Sequence, residues 1–132
     1  MDTETESVSI PGSGGQTMSG YLARPTEGGV RPGVVVFMEA FGLNGHIRDV
    51  VERIAAEGYV AVAPDFFHRT APGLDLPYDT EISELMKVLG QLHADQMLED
   101  VRATLAFLRA RSDVRGDRLG CIGSVSEATW RT

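Results

Sequence analysis

The sequence has one cysteine, Cys121, so no disulfide can form within the chain. It has no basic excess either: 12 Lys and Arg against 19 Asp and Glu leave a formal net charge of -7. That balance gives no electrostatic footprint for nucleic acid and no polybasic surface for anionic lipid, which leaves small molecules or proteins as partners. No apolar run approaches the length needed to span a bilayer, and the amino terminus, MDTETESVSI, lacks the basic and apolar regions of a signal peptide. A soluble cytoplasmic protein is the expectation. Repeats and low-complexity segments are also missing, so the chain is read as ordinary globular sequence.

What is present is enough for a core. With 132 residues, 42% of them hydrophobic, the chain fits one domain or part of one and is too short for a typical two-domain enzyme. Its organising stretch runs from Pro32 to Asp65. Val34 to Phe37 is a short apolar run rich in β-branched residues, as expected of a strand buried on both faces of a parallel sheet. A polar loop from Glu39 to Gly45 follows, and then Ile47, Val50, Val51, Ile54 and Ala55 recur at helical spacing. Gly58 supplies a stop, and Tyr59 to Ala63 is apolar again. This is a βαβ unit, whose ligands sit outside the carboxyl ends of its strands. The polar residues there are Glu39 and the run from Asp65 to Arg69.

Upstream, Met1 to Glu6 reads as an acidic, frayed tip, and Ser7–Ile10 with Met18–Ala23 as an antiparallel hairpin around PGSGG. Downstream, Phe66 to Tyr78 holds Pro72, Gly73 and Pro77 and reads as a long loop. Glu81 to Leu89 is a short helix. A longer one runs from about Ala94 to Arg111, with Met97, Leu98, Val101, Leu105, Phe107 and Leu108 as its apolar positions. Ser112 to Asp117 reads as a loop and Arg118 to Gly123 as another buried strand. The overall reading is α/β, a mostly parallel sheet with flanking helices and an amino-terminal antiparallel hairpin.

The segment PGVVVFMEAFGLNGHIRDVVERIAAEGYVAVAPDFFHR, then a long helix, then DVRGDRLGCIG, resembles the amino-terminal half of the dienelactone hydrolase family, of α/β-hydrolase fold. The specific part is Glu39 to Asn44, followed by His-Ile-Arg-Asp and Ala-Pro-Asp. The resemblance implies hydrolysis of a small-molecule ester or lactone by a cysteine nucleophile with His and Asp partners, without metal or cofactor. It implies that Glu39 helps form the thiolate, since a partly desolvated carboxylate can accept the thiol proton. The bland alternative for Glu39 is a solvated loop residue. The Ala40 backbone N–H matches an oxyanion-hole donor. Arg69 matches an arginine that holds the substrate's carboxylate, a task suited to a planar guanidinium, with a plain surface arginine as the alternative. His46 and His93 read as surface or capping residues. His68 is either a packed histidine or a pocket wall, and Asp65 a residue that fixes its loop.

The departure comes after Gly123. The family has its nucleophile elbow there, of the type G-F-C-x-G-G, whereas this chain reads SVSEATWRT with Val125 in register with the cysteine. Ser126 falls one residue late for an elbow nucleophile, and Cys121 lies inside a strand, where an inert thiol is expected. Residues 1–123 are thus expected to form the amino-terminal half of a dienelactone hydrolase-like domain, with 124–132 an aberrant tail and the chain inactive as it stands. The genetic code permits one account of the tail: if Ser124 uses a TCN codon, one T inserted after Gly123 turns the next codon into Phe, and allowed third bases then read Cys, Ile, Gly, Gly. The rival from another class is a non-catalytic fragment that binds a small acidic ligand or a protein partner. An apolar parallel edge left open predicts self-association or aggregation.

Overall fold

The computed structural model describes residues 1–12, 15–38 and 41–123. Eight elements follow in order: β1 (Thr3–Pro11), β2 (Thr17–Pro25), β3 (Arg31–Phe37), α1 (Gly45–Ala56), β4 (Val60–Pro64), α2 (Ile82–Gly90), α3 (Ala94–Ala110) and β5 (Val114–Gly123). The strands form one mixed five-stranded sheet in the order β1-β2-β4-β3-β5. The expected hairpin is there as the antiparallel β1–β2 ladder, β2 joins β4 antiparallel, and β3 lies parallel to both β4 and β5.

The βαβ unit forms for reasons visible in its residues. The side-chain oxygen of Asn44 accepts the Ile47 N–H at 3.0 Å and so satisfies one orphan donor at the start of α1. At the other end the chain turns at Gly58, with φ of +107°, a conformation cheap only for glycine. All five residues of β4 are buried, as a central strand covered on both faces requires.

Each face of the sheet has its own core. On one side Ile47, Val51 and Ala55 of α1 pack on Ala23, Val36, Ala61 and Ala63. On the other, Leu108 of α3 joins Ile10, Met18, Leu22, Val35, Val60, Val62 and Val114. A fully buried Leu, Val or Ile contributes roughly 1.5–3 kcal/mol, so these two layers dominate the stability of the fold.

Three expectations need correction. Residues Thr3 to Glu6 are not frayed but paired in β1, from Thr3 opposite Pro25 to Glu6 opposite Leu22, with an ion pair between Glu4 and Arg24. The last strand begins at Val114, inside the expected loop. Its ladder with β3 shifts between Pro32, opposite Arg115, and Gly33, opposite Leu119. Pro32 has no N–H to donate, so the partner strand bulges there before pairing resumes. Finally, Arg118–Gly123 is an edge strand rather than a buried one. Leu119 and Cys121 pack against the α3-side core, while Ile122 is 44% exposed.

Among the described residues, no helix is long and apolar enough to cross a membrane. Helix α2 carries no buried residue, and Ile82 is 76% exposed.

Candidate functional site

The carboxyl ends of β3 and β4 open onto two loops, 41–44 and 65–80. Asp65 ends β4 and organises the second of them. Its N–H donates to the Ser19 carbonyl at 2.9 Å, while its carboxylate accepts the Phe67 N–H at 3.0 Å and the Gly73 N–H at 2.9 Å. It therefore fixes the loop, as its position suggested. Phe66, just beyond it, stacks on Phe37 at the end of β3 with ring centroids 5.8 Å apart.

The two loops are strapped together. Leu76 N–H donates to the Phe41 carbonyl at 2.8 Å, Gly42 bridges to Asp75, and the Phe41 and Tyr78 rings meet edge to face at 4.7 Å. Arg48 on α1 reaches Asp75 at 3.5 Å. Gly42 has φ of +86°, and a Cβ there would collide with the Leu74 carbonyl, so only glycine fits this crossing. The strap thus anchors the segment directly after Glu39 and Ala40. Glu39 and Ala40 themselves lie outside the described residues, as do Val125 and Ser126.

Arg69 is described, and it is not a free surface arginine. Its Nη1 donates to Oδ2 of Asp100 and its Nη2 to Oδ1, each at 2.9 Å, a two-pronged charge-assisted pair. His68 joins the same carboxylate, with Nε2 3.2 Å from Oδ1. Side-chain exposure is 3% for Asp100, 7% for His68 and 20% for Arg69, so Arg69 is the most open of the three. On their open side, His68 and Arg69 line a shallow cleft of about 380 Å³ with Gln16 and Thr17, which lie just before β2 and at its start. Because Gly20 of β2 pairs with Pro64 of β4, this places the cleft at the carboxyl-end rim of the sheet.

Asp100 is the residue that sequence reasoning missed. Helix α3 buries Asp100, Thr104 and Leu108, one residue every fourth position, while Leu98 is 51% exposed. The available signal was an acidic residue on the stripe that faces the core, since a buried carboxylate needs a partner. Thr104 completes that stripe by donating its hydroxyl to the Asp100 carbonyl at 2.7 Å.

The other sequence candidates are not drawn into this cluster. His46 is exposed and lies edge to face with Tyr78, and His93 is the amino-terminal cap residue of α3 without a side-chain capping bond. Cys121 lies mid-strand opposite Val35, where burial pushes its thiol up from the ordinary range, the reverse of what a nucleophile needs. Among the described residues there is no group of three or more His, Cys, Asp or Glu side chains placed to hold a metal ion.

The model of the dienelactone hydrolase family matches residues 18–124. A provisionally assigned carboxymethylenebutenolidase of Synechocystis sp. is 42% identical over 124 residues, covering 93% of this chain and 50% of that protein. The carboxymethylenebutenolidase of Pseudomonas sp. is 35% identical over 107 residues, covering 78% of this chain and 44% of that protein. Among solved structures, a provisionally assigned dienelactone hydrolase of Klebsiella pneumoniae superimposes with a TM-score of 0.82 at 33% identity, over 93% of this chain and 50% of that one. The chain thus spans about half the length of the relatives it matches. With the family model covering most of the sequence and the sheet laid out as in that neighbour, the chain belongs to the dienelactone hydrolase family.

Proposed function

We propose that this chain supplies the amino-terminal half of a hydrolase for small carboxylic esters or lactones that carry an acidic group. The observation that carries the reading is the family match over residues 18–124, a span that includes the Glu39–Asn44 segment. In this reading Glu39 draws the proton from the nucleophile's thiol, the Ala40 N–H stabilises the oxyanion, and Arg69 receives the substrate's carboxylate. The seat of Arg69 beside an open cleft at the carboxyl-end rim supports the last role. The family relation supports ester or lactone substrates, and the single unpaired cysteine suits a reducing, cytoplasmic setting.

As the sequence stands, Val125 occupies the register position of the cysteine, and we assign the 132-residue chain to ligand binding without turnover. Hydrolysis of p-nitrophenyl acetate and of a thioester by the purified chain, with Glu39→Gln as control, tests this. No turnover above buffer is expected, and turnover that depends on Glu39 would overturn the inactive reading. Sequencing the gene across codons 118 to 132 and beyond tests the origin of the tail. A shifted frame reading Phe-Cys-x-Gly-Gly and staying open supports a lost base, and an unshifted frame without such a continuation refutes it. The outer edge of β5, unpaired among the described residues, and the exposed apolar residues of α2 also support self-association, which concentration-dependent sedimentation checks.

A further inference from the structure

We propose that Asp100 is a positioning residue that fixes which edge of the Arg69 guanidinium is offered to a ligand's carboxylate; the proposal rests on the reading of Arg69 as the acid-binding group. An arginine has five N–H donors. Asp100 takes one from Nη1 and one from Nη2, the end-on pair. The three that remain include Nε–H and the N–H of the adjacent Nη, which form the guanidinium's second fork. A planar carboxylate fits that fork in the same two-pronged way.

The carboxylate is well placed for this task. It is almost completely buried, so its own orientation is set by packing and by His68, whose Nε2 sits 3.2 Å from Oδ1. It reaches Arg69 from α3, 31 residues away in sequence, so the loop carrying Arg69 is tied to a rigid helix rather than left to its own conformation. Asp100 also cancels the arginine's charge. Attraction for a ligand then comes from hydrogen-bond geometry more than from net charge, which favours a planar monoanion over any anion. The cleft of about 380 Å³ beside His68 and Arg69 is of a size for such a small acid.

The test is an NMR titration of the labelled 132-residue chain with 2-furoate and with its neutral isostere 2-furamide. In the wild type, furoate is expected to shift the Arg69 Nε–H resonance while the Nη protons keep the slow rotation of a guanidinium still forked to Asp100. Asp100→Asn uncovers the arginine's charge, which alone would tighten furoate binding; a weakening of about tenfold or more, the size of one charge-assisted hydrogen bond, is nevertheless expected because the second fork is no longer held in place. In an Arg69→Ala background the same substitution should add nothing, which a merely structural role would not predict. The proposal is overturned if folded Asp100→Asn binds furoate as tightly as the wild type, or if the Asp100 fork opens when furoate binds. The fork measurement decides the matter alone if Asp100→Asn does not fold. A different result, furoate leaving Arg69 unperturbed or binding equally well to Arg69→Ala, sinks the reading of Arg69 itself and the proposal with it.

Discussion

Arg69 and Asp100 make a two-pronged ion pair at the carboxyl ends of the parallel strands, and Arg111 and Asp113 make another at their amino ends. In the second pair Arg111 Nε donates to Oδ1 at 2.9 Å and Nη2 to Oδ2 at 3.0 Å, distances close to those of the first but through the guanidinium's Nε–Nη fork rather than its end. The surroundings differ. The Asp100 side chain is 3% exposed and joins a loop to a helix, whereas Asp113 is 23% exposed and two residues from its partner in the turn before β5. Arg111 also reaches Glu6 on β1 at 3.2 Å, so the second cluster staples the hairpin to that turn. The same pair of residue types thus serves two purposes. With its carboxylate buried and borne by a distant element, it sets the position of a loop at the rim; with its carboxylate partly exposed and local, it trims a turn.

The difference should appear first in stability. Asp100→Ala strands the Arg69 guanidinium and the buried His68, and removing one partner of a largely buried pair costs about 3 kcal/mol. Asp113→Ala removes a local, partly exposed pair and should cost about 1 kcal/mol or less. Urea unfolding of both variants measures this directly. Equal losses would mean that burial does not separate the two pairs.

The glycines of the two ends sharpen the contrast further. Gly42, under the strap at the carboxyl-end rim, combines positive φ with a backbone crossing, so Gly42→Ala should cost about 2 kcal/mol or more. Gly28, in the loop before β3, has open space around its Cα and lies outside the left-handed region, so Gly28→Ala should stay within about 0.5 kcal/mol. Thermal unfolding of the two variants decides. A mild Gly42→Ala would show that the strap yields, and with it the anchoring of the loop after Glu39 and Ala40.

Much of this architecture could be read from the residues. Val34–Phe37, the Ile47-to-Ala55 periodicity and Tyr59–Ala63 are local patterns, and local patterns fix element type; β3, α1 and β4 fall where they point. What escaped was decided across the fold. The start of β5 depends on Pro32 in the neighbouring strand, which no window around Val114 contains. The paired strand at Thr3–Glu6 is an acidic segment held by its partners, Arg24 and Arg111 among them. The family resemblance singles out Arg69 as a candidate, but Asp100 lies 31 residues on, in a helix whose apolar positions draw attention away from its buried acidic one. At the candidate site, therefore, sequence identified the more open residue and missed the one that holds it.

The smallest expected effect is a pH dependence at the amino-end pair. The Arg111 guanidinium, hydrogen-bonded to Asp113, holds that carboxyl below the usual carboxylate range, against the upward push of partial burial. A carboxyl whose pKa is lower in the folded than in the unfolded chain binds fewer protons when folded. Its contribution is therefore fully present above the unfolded value of about 4 and is lost as pH falls through the lower folded value. The stability difference between wild type and Asp113→Asn should accordingly be constant from neutral pH to about pH 5 and shrink below pH 4, with an amplitude of at most about 1 kcal/mol. Urea unfolding of both proteins across that range provides the comparison. A difference that grew on acidification would reverse the sign of the linkage, and the Arg111–Asp113 pair would then be a bystander in the turn rather than its staple.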